Sequence, residues 1–190
     1  MNKNLPQNSN ISIETVEGVE KIIIPHAKGG IFKYFIGAFL TFWMFGWATG
    51  FVTVGSEILS GNGNAFLFFW FAGWSVGGFF AGMTLFKIFR KPIPETLLLN
   101  RLNLLLDTGM TPFNPSIIGS QKEFWKTLFL KRKQIEFTLK ELETLTLRET
   151  DLGNRLTLDN GSERIEFATS ATEIEREWLF EYLKFNYRIG

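Results

Sequence analysis

The chain has no cysteine and a single histidine in 190 residues. No disulfide, thiolate nucleophile, cysteine-ligated zinc or iron–sulfur cluster can be built from it. The lone histidine, His26, lacks partner ligands and an adjacent nucleophile, so it reads as structural and not as a metal ligand or general base. Charge is missing from the middle of the chain. Among 20 basic and 19 acidic residues, Glu57 is the only one between residues 34 and 86. The net charge of +1 gives no footing for nucleic-acid binding, which needs a strongly basic domain. Asp107, Asp151 and Asp159 each lie at or near a turn residue, where aspartate commonly serves the backbone, so no paired-carboxylate site is expected. The glycine-rich stretches lie inside or beside the apolar runs, and none has phosphate-loop spacing. No catalytic residue, cofactor or metal is expected, and the chain reads as a non-enzyme.

Two uncharged runs, residues 34–56 and 64–86, stand out. About 20 residues at 1.5 Å each cross a hydrocarbon core of roughly 30 Å, so both qualify as membrane spans. The expected helices cover about residues 33–56 and 64–89, within a hairpin module spanning 31–91. Gly61, Asn62, Gly63 and Asn64 break the helices and make them antiparallel neighbours. Lys21, Lys28 and Lys33 precede the first run, and Lys87, Arg90, Lys91 and Arg101 follow the second. The connecting loop has no cation. The positive-inside rule then places both termini in the cytoplasm, with two spans in the plasma (inner) membrane. Neither run holds a charged residue or histidine at mid-depth, which disfavours transport by this chain alone.

Gly46 and Gly50, Gly73 and Gly77, and Gly78 and Gly82 are each four apart, a spacing that lets helix backbones approach closely in lipid. They suit packing within the hairpin or a dimerisation face, with the first favoured because the hairpin partner is always present. Trp43, Trp47, Trp70 and Trp74 reach too deep for all to be headgroup anchors. A helix–helix contact explains the inner ones better than a cofactor pocket.

Residues 1–10 are polar, unlike a signal peptide, and read as a disordered tail. Residues 11–16 and 19–24 read as strands around Glu17-Gly18. This N-terminal hairpin, within 11–30, is expected to join the cytoplasmic sheet, since two free strands rarely persist in water. After Pro92 and Pro94, short strands are expected at 96–99, 102–106 and 134–139 (through Ile135, Phe137 and Leu139), with a fourth marked by Leu142, Leu145 and Leu147. Residues 155–159 and 163–167 flank Asn160-Gly161, a two-residue turn signal that predicts a hairpin. The chain ends in a predicted helix over 171–186, capped by Ser170 with Glu173 completing a capping box. Ile174, Trp178, Tyr182 and Phe185 are its expected buried stripe, and Glu173, Glu175, Arg176, Glu177 and Glu181 its wet positions.

The fold class that follows is an α+β membrane protein. A two-helix transmembrane hairpin is joined to an antiparallel β-roll closed by the C-terminal helix, with the cytoplasmic domain over 95–190. Ile22-Ile23-Ile24-Pro25, Phe42-Trp43-Met44-Phe45-Gly46-Trp47-Ala48, Phe69-Trp70-Phe71-Ala72-Gly73-Trp74-Ser75-Val76-Gly77-Gly78 and Glu175-Arg176-Glu177-Trp178-Leu179 add a resemblance. In these residues the chain resembles small prokaryotic two-helix membrane proteins with a pleckstrin-homology-like (PH-like) cytoplasmic domain and no assigned function. The likeness covers most of the chain from Ile22, and residues 109–133 fit least. It implies fold and topology and brings no catalytic residue with it.

Residues 121–133 are the strongest interaction candidate. Phe124, Trp125, Leu128 and Phe129 recur in helical register, with Lys122, Lys126, Lys131, Arg132 and Lys133 supplying charge. Such a stretch lies in an anionic headgroup layer or forms an ordinary core element ending in a solvated Lys-Arg-Lys turn. The expected role is an assembly module anchored in the lipid bilayer, whose PH-like domain binds a protein partner or lipid headgroups, or which forms a homo-oligomer. The alternative is an accessory subunit of a larger membrane transport or enzyme complex.

Overall fold

The computed structural model describes residues 4–26, 30–113, 125, 129, 131–151 and 153–189. They form an α+β protein of two compact units, one of residues 1–27, 92–111 and 131–190, the other of residues 28–91 and 112–130.

The first unit is built from strands interrupted in sequence by the apolar helices. β1 (Ser12–Val16) and β2 (Val19–Ile24) form a tight hairpin, with Glu17 and Gly18 both at positive φ. β3 (Glu95–Leu99) pairs antiparallel with β2, followed by β4 (Asn103–Asp107) and β5 (Gln134–Thr138), giving the order β1-β2-β3-β4-β5. The strands alternate, so Ile22, Ile24, Leu97, Leu99, Leu104, Leu106 and Phe137 face one core. A second sheet, β6 (Thr146–Thr150), β7 (Gly153–Asn160) and β8 (Glu163–Phe167), adds Leu156, Leu158 and Phe167 to that core. Both sheets are antiparallel. They share no ladder, and no barrel closes among the described residues.

Several local expectations shift. Leu139 does not extend β5. Thr138 accepts from the Glu141 N–H and Glu141 reaches back to Thr138, and this capping box starts the single helical turn α3 (Leu139–Leu142). Leu142 and Leu145 are buried around that turn, so β6 starts only at Thr146. In the β7–β8 hairpin Asn160 pairs with Glu163, so the turn residues are Gly161 and Ser162, one place later than expected. Only Gly161 has positive φ, as at the first central position of a II′ turn.

The last helix, α4 (Glu173–Tyr187), also differs from expectation. Its N-cap is Thr172, paired in a capping box with Glu175, and not Ser170 with Glu173. Its buried face is Glu175, Leu179, Tyr182 and Leu183, while Ile174 (66% exposed) and Phe185 (54%) lie outside. Glu175 tolerates burial because its carboxylate accepts from the Ser9 hydroxyl and Asn10 N–H (both 2.8 Å) and from Thr172. Residues 4–10, expected within a disordered tail, are thereby tied down, with Leu5 packed on the core. Residues 1–3 lie outside the described residues.

The second unit is dominated by α1 (Phe32–Glu57) and α2 (Ala65–Phe89), joined through a π-helical turn, Ile58–Asn62. Gly61, at φ +86, reverses the chain, and the Asn64 side chain caps α2 by accepting from the Leu67 N–H. Both helices are long and apolar enough to cross a membrane, and only 6% of each apolar window is buried.

Candidate functional site

Two features concentrate what the chain could use: an aromatic clasp between α1 and α2, and a basic corner where β5 begins.

The clasp is reciprocal. The Trp47 indole donates to the Trp74 carbonyl at 3.0 Å, and the Trp74 indole donates to the Trp47 carbonyl at 3.3 Å. Trp70 stacks on Trp74 at 4.5 Å, and Trp47, Phe51 and Phe71 form a second stack at 5.0 and 4.6 Å. The fit depends on glycine. A Cβ on Gly78 would overlap the Trp47 ring, one on Gly50 would meet Trp74 at 3.6 Å, and one on Gly82 would meet Met44 at 3.9 Å. These three pack inside the hairpin. Gly46, Gly73 and Gly77 do not, since a Cβ there has no atom within 4 Å. Gly73 and Gly77 instead floor an open groove of about 410 Å³ walled by Trp43, Trp70, Phe66 and Phe69.

Every serine and threonine hydroxyl on the two helices is used internally. Thr41, Thr49, Thr53, Ser56, Ser75 and Thr84 each donate to a carbonyl of their own helix, three or four residues back. This is how hydroxyls are tolerated where water is absent.

Of the expected interaction stretch, Lys122, Phe124, Lys126 and Leu128 lie outside the described residues. Trp125 is helical, edge-on to Phe80 at 4.8 Å and stacked over Phe129 at 6.1 Å. Lys131, Arg132 and Lys133 are exposed, but they are not one solvated turn. The Arg132 guanidinium forms a two-pronged ion pair with Asp107, its Nε lying 2.8 and 2.9 Å from the two carboxylate oxygens. Asp107 also accepts from the Gly109 N–H (3.0 Å) and Gln134 (3.2 Å). Arg132 chiefly, with these donors, holds the Asp107 carboxyl down at about 2. Arg132 is therefore a structural cation, which leaves Lys131 and Lys133 as the outward ones. Asp159 is likewise engaged, by Arg164 at 2.7 and 2.9 Å.

This separates the three cations by experiment. Lys131→Gln with Lys133→Gln should leave the melting temperature unchanged, whereas Arg132→Gln should lower it by stranding the nearly buried Asp107. Because the Asp107 carboxyl is depressed, its stabilisation is complete above its ordinary value of 3.8 and is lost as pH falls through about 2. The Arg132→Gln deficit should shrink over the same window in thermal melts. Equal melting of the double lysine variant and Arg132→Gln at pH 7 would remove the assigned role of Arg132.

His26 extends the β2 end and bonds through Nδ1 to the Ser170 hydroxyl at 2.8 Å; burial lowers its pKa. Glu95, buried at the start of β3, accepts from the Ala168 N–H at 2.9 Å. Sequence reasoning missed Glu95, Glu175 and the Asp107–Arg132 pair, whose partners are distant along the chain. Among the described residues, no cluster of three His, Asp or Glu side chains could hold a metal ion. Comparisons with protein-family models, curated proteins and solved structures find no match.

Proposed function

We propose that this chain is a non-enzymatic integral membrane protein: α1 and α2 cross the bilayer as a hairpin, and the sheet-and-helix unit is a PH-like binding module in the cytoplasm. The observation carrying this reading is the hairpin surface. Its helices are apolar on every face, a pattern suited to lipid and not to water, and every serine and threonine hydroxyl on them is satisfied within its own helix. The PH-like part rests on two antiparallel sheets and a C-terminal helix sharing one core. A protein partner is favoured over lipid headgroups because Arg132 is committed to Asp107. That leaves fewer outward cations, each worth about 1 kcal/mol near an anionic surface.

The open groove over Gly73 and Gly77 supports a second reading, an accessory subunit whose hairpin packs on a larger membrane complex. Mild detergent extraction with identification of co-purifying proteins separates the two, a stoichiometric membrane partner favouring the subunit.

Topology is tested directly. A reporter fused after Gly190 should be active only in its cytoplasmic form, and a tag inserted at Asn62 should be reached from outside. An externally accessible C-terminus overturns the orientation, and a chain released by carbonate washing overturns membrane insertion itself.

A further inference from the structure

β2 runs on toward α1 from Ile24, and β3 arrives from α2 at Glu95. At the opposite end of this strand pair, where Glu20 lies across from Leu99, the first unit opens into a cleft of about 300 Å³. Three stretches far apart in sequence line it: Glu20 at the start of β2, Asn100 and Arg101 after β3, and Asn186 and Tyr187 in the last turn of α4. Buried Leu99 completes the lining. Two of these side chains are fixed in place. Tyr182, only 4% exposed, donates its hydroxyl to Glu20 Oε2 at 2.6 Å, and Tyr187 donates to the Asn103 carbonyl at 2.9 Å.

Glu20 and Arg101 bring opposite charges to one cleft, yet no ion pair joins them. Among the described residues, the second carboxylate oxygen of Glu20 accepts no hydrogen bond, and the side chains of Arg101, Asn100 and Asn186 have no partner. Glu17 and Arg188 flank the cleft without lining it and are opposite in sign. This charge arrangement is selective. A lone anion would meet Glu20 and the carbonyl end of α4, which carries partial negative charge. A lone cation would meet Arg101. A molecule bearing both an ammonium and a carboxylate satisfies both sides. The guanidinium suits a carboxylate as a two-pronged donor, and Glu20 accepts from the ammonium beside the unpaired carbonyls that end a helix. The two asparagine amides can each donate and accept. The cleft volume stands at the small end of ligand pockets.

We propose that this cleft binds a free α-amino acid, with Arg101 taking the carboxylate, Glu20 the ammonium, and Leu99 and Tyr187 offering apolar contact to the carbon chain. Tyr182 is a positioning residue: by holding one oxygen of Glu20 it keeps the carboxylate from closing onto Arg101. The site adds a small ligand to the binding module and does not depend on its partner or on membrane insertion.

The test is thermal melting of the full chain in detergent with each of the standard L-amino acids in turn, at millimolar concentration. At least one should raise the melting temperature by several degrees and saturably, as a ligand of the native state does. The amine and the acid left by deleting its carboxylate or its ammonium should each bind at least tenfold more weakly by isothermal titration. Arg101→Gln and Glu20→Gln should each cost tenfold or more in affinity, and Arg188→Gln nothing. Glutamine at position 20 can still accept from Tyr182, and Arg101 is exposed beyond the end of β3, so both variants should melt like the parent without ligand. Glycerophosphoethanolamine carries the same charge pair as a lipid headgroup, and its tighter binding would overturn the assignment to an amino acid. A melting temperature that no amino acid raises, equal binding of the amine or the acid alone, or unchanged affinity in Arg101→Gln or Glu20→Gln overturns the site itself.

Discussion

Replacing Gly78 with alanine should destabilise the full chain in detergent by about 2 kcal/mol, while the same change one residue earlier, Gly77→Ala, should be neutral or mildly stabilising. Glycine in a helix interior costs roughly 0.5–1 kcal/mol relative to alanine, so backbone entropy alone favours both substitutions. Only at Gly78 is there an opposing effect. Its Cβ would overlap the Trp47 indole, and Trp47 has little room to yield, being stacked on Phe51 and bonded to the Trp74 carbonyl. Overpacking of this kind costs about 1–3 kcal/mol, and a displaced indole forfeits a hydrogen bond worth up to about 1–2 kcal/mol in an apolar medium. Melting read by size-exclusion chromatography after heating would measure both variants. The cause is isolated by a cycle: in a Trp47→Ala background the Gly78→Ala penalty should largely vanish. Persistence of the penalty there would show that the clasp is not what holds Gly78. A large loss from Gly77→Ala would instead mean that the open groove is occupied by another helix.

How far the sequence reveals this arrangement depends on the range of each interaction. The two apolar helices are readable because their signal is local: each apolar run carries its own helix, and Gly61 and Asn64 end one and cap the other. The β7–β8 hairpin is readable in kind but not in register. Asn160-Gly161 is a favourable turn pair, yet the turn one residue on matches Leu156 with Phe167 and Leu158 with Ile165, joining apolar rungs. Matching those rungs across the turn would have found it. On the last helix two stripes compete. The aromatic one through Ile174 and Phe185 looks more hydrophobic, but the buried one runs through Glu175. A carboxylate is accepted there only because Ser9 and Asn10 arrive from the far end of the chain. The same limit applies at the basic corner. Three adjacent cations look equivalent until Asp107, 25 residues before Arg132, singles one out. The packing glycines split for a related reason: spacing marks all six, and only the position of the facing side chain distinguishes Gly50, Gly78 and Gly82 from the rest.

Glu95 should make the protein less stable as pH rises through neutrality, and Glu95→Gln should reverse that loss. Its side chain is almost fully buried at the start of β3, and desolvation pushes its carboxyl up to about 7, against the opposing effect of the Ala168 N–H bond. An unfolded chain releases this proton near 4.5, while the folded one holds it to about 7. Between those values the native state binds more protons, so stability falls with rising pH. Above about 7 the full penalty applies, on the order of 3 kcal/mol at 1.36 kcal/mol per pH unit. Glutamine keeps an oxygen to accept from Ala168, whose φ of +54° makes this turn one that needs holding. Glu95→Gln should therefore match the parent near pH 4.5 and melt roughly 10 °C higher at pH 8. His26 titrates with the opposite sign. Burial disfavours its charged form, so its contribution weakens as pH falls. Comparing Glu95→Gln with the parent at each pH cancels that background and leaves the carboxyl alone. A variant less stable than its parent at pH 8 would show that the structure uses the ionised carboxylate, and a pH-independent difference would show that the carboxyl titrates as if in water.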